Sequence, residues 1–187
     1  MKQDMKIIRQ RDYATVPWKN GRGVTRQIHR SFVGDALEWR LSLAQVRSDG
    51  PFSHFRGLER ILTVVEGQGM RLVGSDGEID AMSLCPVRFS GDTDVMGYCR
   101  SRPIENFNVI FNPELIEAHV RVVFNPEDTD LICSGSETLA IFMLEGDLPV
   151  SGVPSLTAGD TCILGNAARL VPPEPGVRCA IVSLTRR

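Results

Sequence analysis

Ile61-Leu62-Thr63-Val64-Val65-Glu66-Gly67 and Ala140-Ile141-Phe142-Met143-Leu144-Glu145-Gly146 are the two stretches that decide the fold. Both are short apolar runs that stop at Glu-Gly, and they stand 79 residues apart. A run of this length, closed by a turn residue, reads as a buried strand rather than a helix. Each is followed by a turn-rich hairpin and then a Leu-centred stretch, Met82-Ser83-Leu84 in the first copy and Pro154-Ser155-Leu156 in the second. Both copies then reach a Gly-Asp pair, Gly91-Asp92 and Gly159-Asp160. The hairpins differ in length, which costs little because closure entropy grows only logarithmically.

Working outward, the same period of two recurs in Glu38 to Ala44, Phe107 to Phe111, Val120 to Phe124 and Arg178 to Leu184. Turn signals separate these runs at Asp49-Gly50-Pro51, Gly74 to Gly77, Ser134-Gly135 and Pro172 to Gly176. Many short strands between glycine and proline turns make an all-β sandwich or barrel. Asn112 to Ala118 supports at most one helical turn before alternation resumes in His119 to Phe124. Strand, glycine turn, hairpin, Gly-Asp turn and strand is the succession of a cupin jelly roll. The expected fold is therefore a bicupin, two cupin-like jelly-roll β-barrel halves in one chain. The competing account is that any two β-sandwich segments share this much by composition. The boundary is placed after residue 125, giving an N-terminal half over 1–125 that holds the ligand site and a C-terminal half over 126–187, with strands exchanged between them.

The composition narrows the partners. Its 21 Lys and Arg are interspersed with 23 Asp and Glu, for a formal charge of −2, so there is no basic stripe for nucleic acid. No apolar run approaches the length of a membrane span, and the first residues lack the apolar core of a signal peptide, so the cytoplasm is the default address. The five cysteines are widely spaced with no CxxC pair, which fits reduced, mostly buried thiols. Three isolated histidines, His29, His54 and His119, contain no HxH unit, so neither a metal nor another cofactor is expected.

The most unusual segment is Val16-Pro17-Trp18-Lys19-Asn20-Gly21-Arg22-Gly23-Val24-Thr25. Glycines at 21 and 23 let backbone N–H groups converge into an anion-accepting nest, to which Lys19 adds a charge and Asn20 and Thr25 add neutral hydrogen-bonding groups. A structural turn with Trp18 packed on the core fits the same residues. The spacing is not that of a phosphate-binding P-loop. In Glu38 to Ala44, alternation puts Trp39, Leu41 and Leu43 on one face and Arg40, Ser42 and Ala44 on the other. That second face either meets water or lines a cavity, where the planar fork of Arg40 would take a carboxylate. Arg60 falls on the side of Leu62 and Val64, its stem on the core and its head toward cavity or solvent. Asn106, Asn108 and Ile110 share one face, and a buried Asn108 needs hydrogen-bond partners, which a ligand or a turn backbone would supply equally.

PWKNGRGVTRQI (17–28), EWRLSLAQVRSDGPFSHFRGLERILTVVEGQGMRL (38–72) and NFNVIF (106–111) resemble, in wording and order, the signatures of the HutD/Ves family. The resemblance is strong over about residues 5 to 125 and continues weakly to the C-terminus. It implies a bicupin without the usual metal-binding histidines, associated with bacterial histidine utilisation. It further implies a cytoplasmic accessory protein that binds an acid of that pathway, of the N-formylglutamate or urocanate type, and modulates the pathway. The family's pocket motif falls on Trp18, Lys19, Asn20, Gly21, Gly23 and Thr25, and its strand motifs on Arg40, Ser42, Arg60 and Asn108. In this assignment Lys19, Arg40 and Arg60 neutralise a carboxylate, Asn20, Thr25, Ser42 and Asn108 orient it, and Trp18 walls the site. Two positions depart from the pattern: Arg22 stands in a run of glycines, and Asn106 where an Asp is usual. The alternatives are a metal-independent cupin enzyme, an isomerase or lyase using His54 or Glu59 on a small acid, and a protein-interaction module with an exposed apolar patch. The expected partner is a small carboxylate, and a homodimer stays open.

Overall fold

The structure is a computed structural model that describes residues 4–18, 21, 23–127, 131–133, 137–165, 170 and 175–187. Among these residues the chain is all-β, with one 3-10 turn at Gln10–Asp12 and no α-helix. The strands up to the middle of the chain are β1 (Asp4–Ile8), β2 (Ala14–Pro17), β3 (Gly23–Val33), β4 (Ala36–Val46), β5 (Gly50–Pro51), β6 (Glu59–Glu66), β7 (Met70–Gly74), β8 (Gly77–Ala81) and β9 (Val87–Ser90). They continue with β10 (Val95–Cys99), β11 (Ile104–Phe111), β12 (Ile116–Phe124), β13 (Glu137–Glu145), β14 (Leu148–Val150), β15 (Val153–Leu156), β16 (Thr161–Gly165) and β17 (Arg178–Arg186). Asn112 accepts from the backbone N–H groups of Glu114, Leu115 and Ile116, which makes the single turn before β12.

The chain divides into two compact units, residues 14–116 and residues 1–13 with 117–187. Residues 1–13 and 117–125, expected in the first half, thus fall with the C-terminal strands. In the 14–116 unit a six-stranded sheet runs β2-β3-β4-β11-β6-β9 and a four-stranded sheet runs β5-β10-β7-β8. A core of Val46, Leu62, Val64, Met70, Leu72, Ala81, Val95 and Ile104 joins residues of both sheets. In the other unit a five-stranded sheet runs β1-β16-β13-β17-β12 beside a β14-β15 hairpin, with its own core built on Leu139, Ile141, Met143, Leu164, Cys179 and Ile181.

The two apolar runs that stop at Glu66-Gly67 and Glu145-Gly146 occupy comparable places in their units. β6 lies between β11 and β9, and β13 between β16 and β17. Each ends at a glycine with positive φ, +100° at Gly67 and +77° at Gly146. A Cβ at Gly67 would stand 2.7 Å from the Ile104 side chain, so the Glu-Gly stop is imposed by conformation and by space together. Cys133, Cys162 and Cys179 are buried, Cys99 is half-buried and Cys85 is exposed, and none is joined in a disulfide. No helix among the described residues is long and apolar enough to cross a membrane.

Candidate functional site

The site follows from the pleat of three neighbouring strands in the 14–116 unit. β11 pairs antiparallel with β4 and β6, so that Ile110 stands opposite Arg40 and Arg60, Asn108 opposite Ser42 and Leu62, and Asn106 opposite Ala44 and Val64. Residues opposite one another in a ladder project to the same face. That face therefore carries two arginines at one level and asparagine and serine at the next. The apolar core already described continues from it. Where this core stops, a cavity of about 420 Å³ opens between the sheet face, the β2 residues Val16 and Pro17 with Trp18, and the segment Pro51, Phe52, Ser53 and Phe55.

Six of the residues singled out in the sequence line this cavity: Trp18, Thr25, Arg40, Ser42, Arg60 and Asn108. The Trp18 indole N–H donates to Thr25 Oγ1 at 2.8 Å, which fixes the ring as a wall. Gly23 begins β3 and is required there by close approach, since a Cβ would lie 2.4 Å from the Gln45 carbonyl oxygen and 2.9 Å from the Trp18 ring. Gly21 is exposed, with φ +69° and open space around it. Its N–H donates to the Trp18 carbonyl at 3.0 Å, so it shapes the turn rather than the cavity. Lys19, Asn20 and Arg22 lie outside the described residues.

Arg60 is the centre of the site. It is 6% exposed, and its guanidinium donates to Asn108 Oδ1 at 3.0 Å and to the Ser53 carbonyl at 3.4 Å. Three rings surround it, Phe52, Phe89 and Phe55, with centroids 4.9, 5.0 and 5.2 Å from Cζ. Burial, and after it the charge of Arg40, pushes its pKa below the ordinary arginine value, to about 10. Arg40 is lowered as well, by burial and then by Arg30, and it lies 5.9 Å from the Phe55 ring. The Nε atoms of both arginines are buried without a hydrogen-bond partner among the described residues. Both pKa values move in the direction that an absent counter-charge produces.

The magnitudes show how incomplete this environment is. Each aromatic contact contributes about 0.5 to 2 kcal/mol and each neutral acceptor about 1, whereas desolvating one guanidinium costs several kcal/mol, and two cations share the space. An anion reaching both would supply what the protein withholds, through parallel charge-assisted bonds.

The sequence reading missed Phe52 and Phe55, which sit in a turn where no periodicity marks an inward side chain. It placed Asn106 on the right face without giving it a role. His54 lies outside the lining and pairs with Asp94 at 2.6 Å, while Glu59 pairs with Arg88 at 3.1 Å. Among the described residues no group of three His, Cys, Asp or Glu gathers in a way that could hold a metal.

The fold defines the class first. A bacterial pirin from Escherichia coli, 10% identical, covers 97% of this chain and 99% of its own with a TM-score of 0.63, so the chain has the all-β fold of that protein. The family model for HutD matches residues 10–179, and the chain belongs to the HutD family. An uncharacterised 21.2 kDa protein from the hutC 3′ region of Pseudomonas putida is 35% identical over 153 residues, 79% of this chain and 77% of that one. Protein Ves of Escherichia fergusonii is 29% identical over 137 residues, 69% of this chain and 67% of that one. HutD from Pseudomonas fluorescens SBW25, whose structure is of a formate condition, is 30% identical, with a TM-score of 0.80 covering 98% of this chain and 99% of that one.

Proposed function

We propose that this protein binds a small carboxylate of the histidine utilisation pathway, of the N-formylglutamate or urocanate type, without turning it over, and so modulates that pathway. The observation that carries this reading is the pair Arg40 and Arg60, lining one cavity with no carboxylate among the described lining residues to neutralise either. In this reading the guanidinium groups take the carboxylate. Asn108 holds Arg60 in place, Ser42 and Thr25 orient the ligand, and the rings of Trp18, Phe52 and Phe55 cover its apolar part. Gly21 shapes the turn after Trp18, and Gly23 lets the Trp18 ring lie close against the start of β3. The two units are the cupin-like jelly-roll halves of a bicupin, a reading supported by the matching Glu-Gly strand ends.

Binding rather than catalysis is favoured by the lining itself. Among the described residues that line the cavity none is Asp, Glu, His, Cys, Lys or Tyr. The groups able to titrate there are arginines, and Arg60 does so only near 10, far from where a general acid or base works best. Charge-assisted bonds of about 1.5 to 3 kcal/mol each place the expected affinity in the micromolar range after ordering costs. Isothermal titration with N-formylglutamate, urocanate, glutamate and formate tests this. Heat with a micromolar midpoint for at least one acid is expected, and silence from all four with folded protein would sink the reading. Chemical conversion of any of the four would replace binding by turnover.

A further inference from the structure

Asn106 is fully buried on the cavity face of β11, yet half of its amide is unused. Its Nδ2 points into the core, 3.8 Å from the Met70 sulfur, and its Oδ1 has no hydrogen-bond partner among the described residues. The opposite orientation of the amide would set two acceptors, carbonyl oxygen and thioether sulfur, against each other, so it is the oxygen that is left without a partner. A buried acceptor left alone is unfavourable by about 1 to 3 kcal/mol, and an apolar side chain of the same shape would avoid this. The arrangement is therefore an incomplete hydrogen bond on a residue that lines the same cavity as two cations.

Resting on the carboxylate reading above, we infer that Asn106 selects ligands carrying a neutral N–H or O–H donor in addition to the carboxylate. Its orphaned oxygen accepts from that donor while Arg40 and Arg60 hold the acid. The spacing follows from the strand. The Arg60 guanidinium is bonded to Asn108, whose Cα lies two residues from that of Asn106, or about 7 Å along an extended strand. Donor and carboxylate must be separated by a few carbons, so the class is a carboxylic acid with an amide N–H or hydroxyl further along its chain. An acid of equal shape without the donor leaves the Asn106 oxygen unpaired and dry, which is how a polar pocket rejects an analogue far better than an apolar one does.

The probes are 4-acetamidobutanoate, its ester isostere 4-acetoxybutanoate, which lacks only the N–H, and butanoate, which has the carboxylate alone. The wild-type protein is expected to bind the amide at least about tenfold more tightly than the ester. Asn106→Leu, which removes the orphaned group and keeps its branched outline, is expected to bind the two alike, with its ester affinity within about threefold of the wild-type value. Equal affinity of the wild-type protein for amide and ester overturns the inference without use of any variant, as does a preference that survives Asn106→Leu in protein with a cooperative thermal transition. Butanoate separates this inference from the reading beneath it. If butanoate binds and the amide gains nothing, Asn106 has no such role while the arginine site stands. If none of the three binds, both fail.

Discussion

Arg60 has opposite effects on the ligand-free fold and on the complex, and that opposition makes it measurable. Its pKa is depressed in the folded chain, so from about 10 up to the ordinary arginine value the unfolded chain binds more protons and ligand-free stability rises with pH. Below about 10 the cost of the charged, unpaired guanidinium is present in full. Carboxylate affinity moves the other way, because the anion needs the proton that Arg60 loses. Formate affinity is expected to be flat between about pH 6 and pH 9 and to fall as pH rises through about 10. Arg60→Met keeps an unbranched chain among Phe52, Phe55 and Phe89 while removing the charge. It leaves Asn108 Oδ1 without its donor, at about 1 to 3 kcal/mol, but relieves a desolvation cost of similar size. The variant is expected to unfold within about 1 kcal/mol of the wild type and to lose at least tenfold in formate affinity, with no change left near pH 10. Paired titrations and thermal melts against pH measure both signs at once.

Gly21 lies in the turn after Trp18 and Gly23 begins β3, and the element distinguishes them although the sequence presents them as a pair. A methyl group at Gly23 collides with the backbone oxygen of Gln45, on the paired strand β4, and with the Trp18 ring. Neither can yield without shifting the β3-β4 ladder or the cavity wall. Gly23→Ala is expected to lose about 1 to 3 kcal/mol of stability and most of the carboxylate affinity. Gly21→Ala meets nothing within 4 Å and suffers only its positive φ, about 1 to 2 kcal/mol, with affinity unchanged. Urea melts with titration of the same two proteins check the contrast, and equal affinities would remove Trp18 from the site. Much of the site was legible at this scale because alternation alone puts Arg40 with Ser42, Arg60 with Leu62 and Asn106 with Asn108. What alternation cannot give is the lid. Phe52 and Phe55 lie in a turn held by backbone bonds to Val95 and Gly91, partners about forty residues away.

At the scale of the whole chain the sequence reading placed a single boundary, after residue 125, whereas residues 1–13 group with 117–187 through contacts that are not local. β1 pairs with β16, and the segment behind it is tied to the Gly-Asp turn of the second copy. Arg9 donates to Asp160 at 2.7 Å and to the carbonyls of Pro154 and Ser155, Gln10 N–H donates to Asp160 at 3.0 Å, and Tyr13 Oη reaches Gly159 and Thr161. No periodicity near residue 9 announces a partner some 150 residues on, whereas the strands themselves announce their type locally. Asp160 is the hinge of this assembly. Burial alone would raise its pKa, but the N–H groups of Thr157 and Gln10 and the Arg9 guanidinium outweigh burial and hold the carboxyl below its ordinary value. A carboxylate depressed in this way contributes stability that is present above the unfolded value near 4 and lost as pH falls through the folded one. Asp160→Ala leaves the Arg9 charge and two backbone donors without their acceptor, so a loss of about 2 to 4 kcal/mol is expected near neutral pH. Hydrogen exchange should quicken first in β1 and β16, within the unit of residues 1–13 and 117–187. The stability gap between wild type and variant should hold constant down to about pH 4 and narrow below it, because acid removes from the wild type the charge that the variant already lacks. A gap independent of pH down to about pH 2 would show that the Asp160 carboxylate is not what fastens the N-terminal strand.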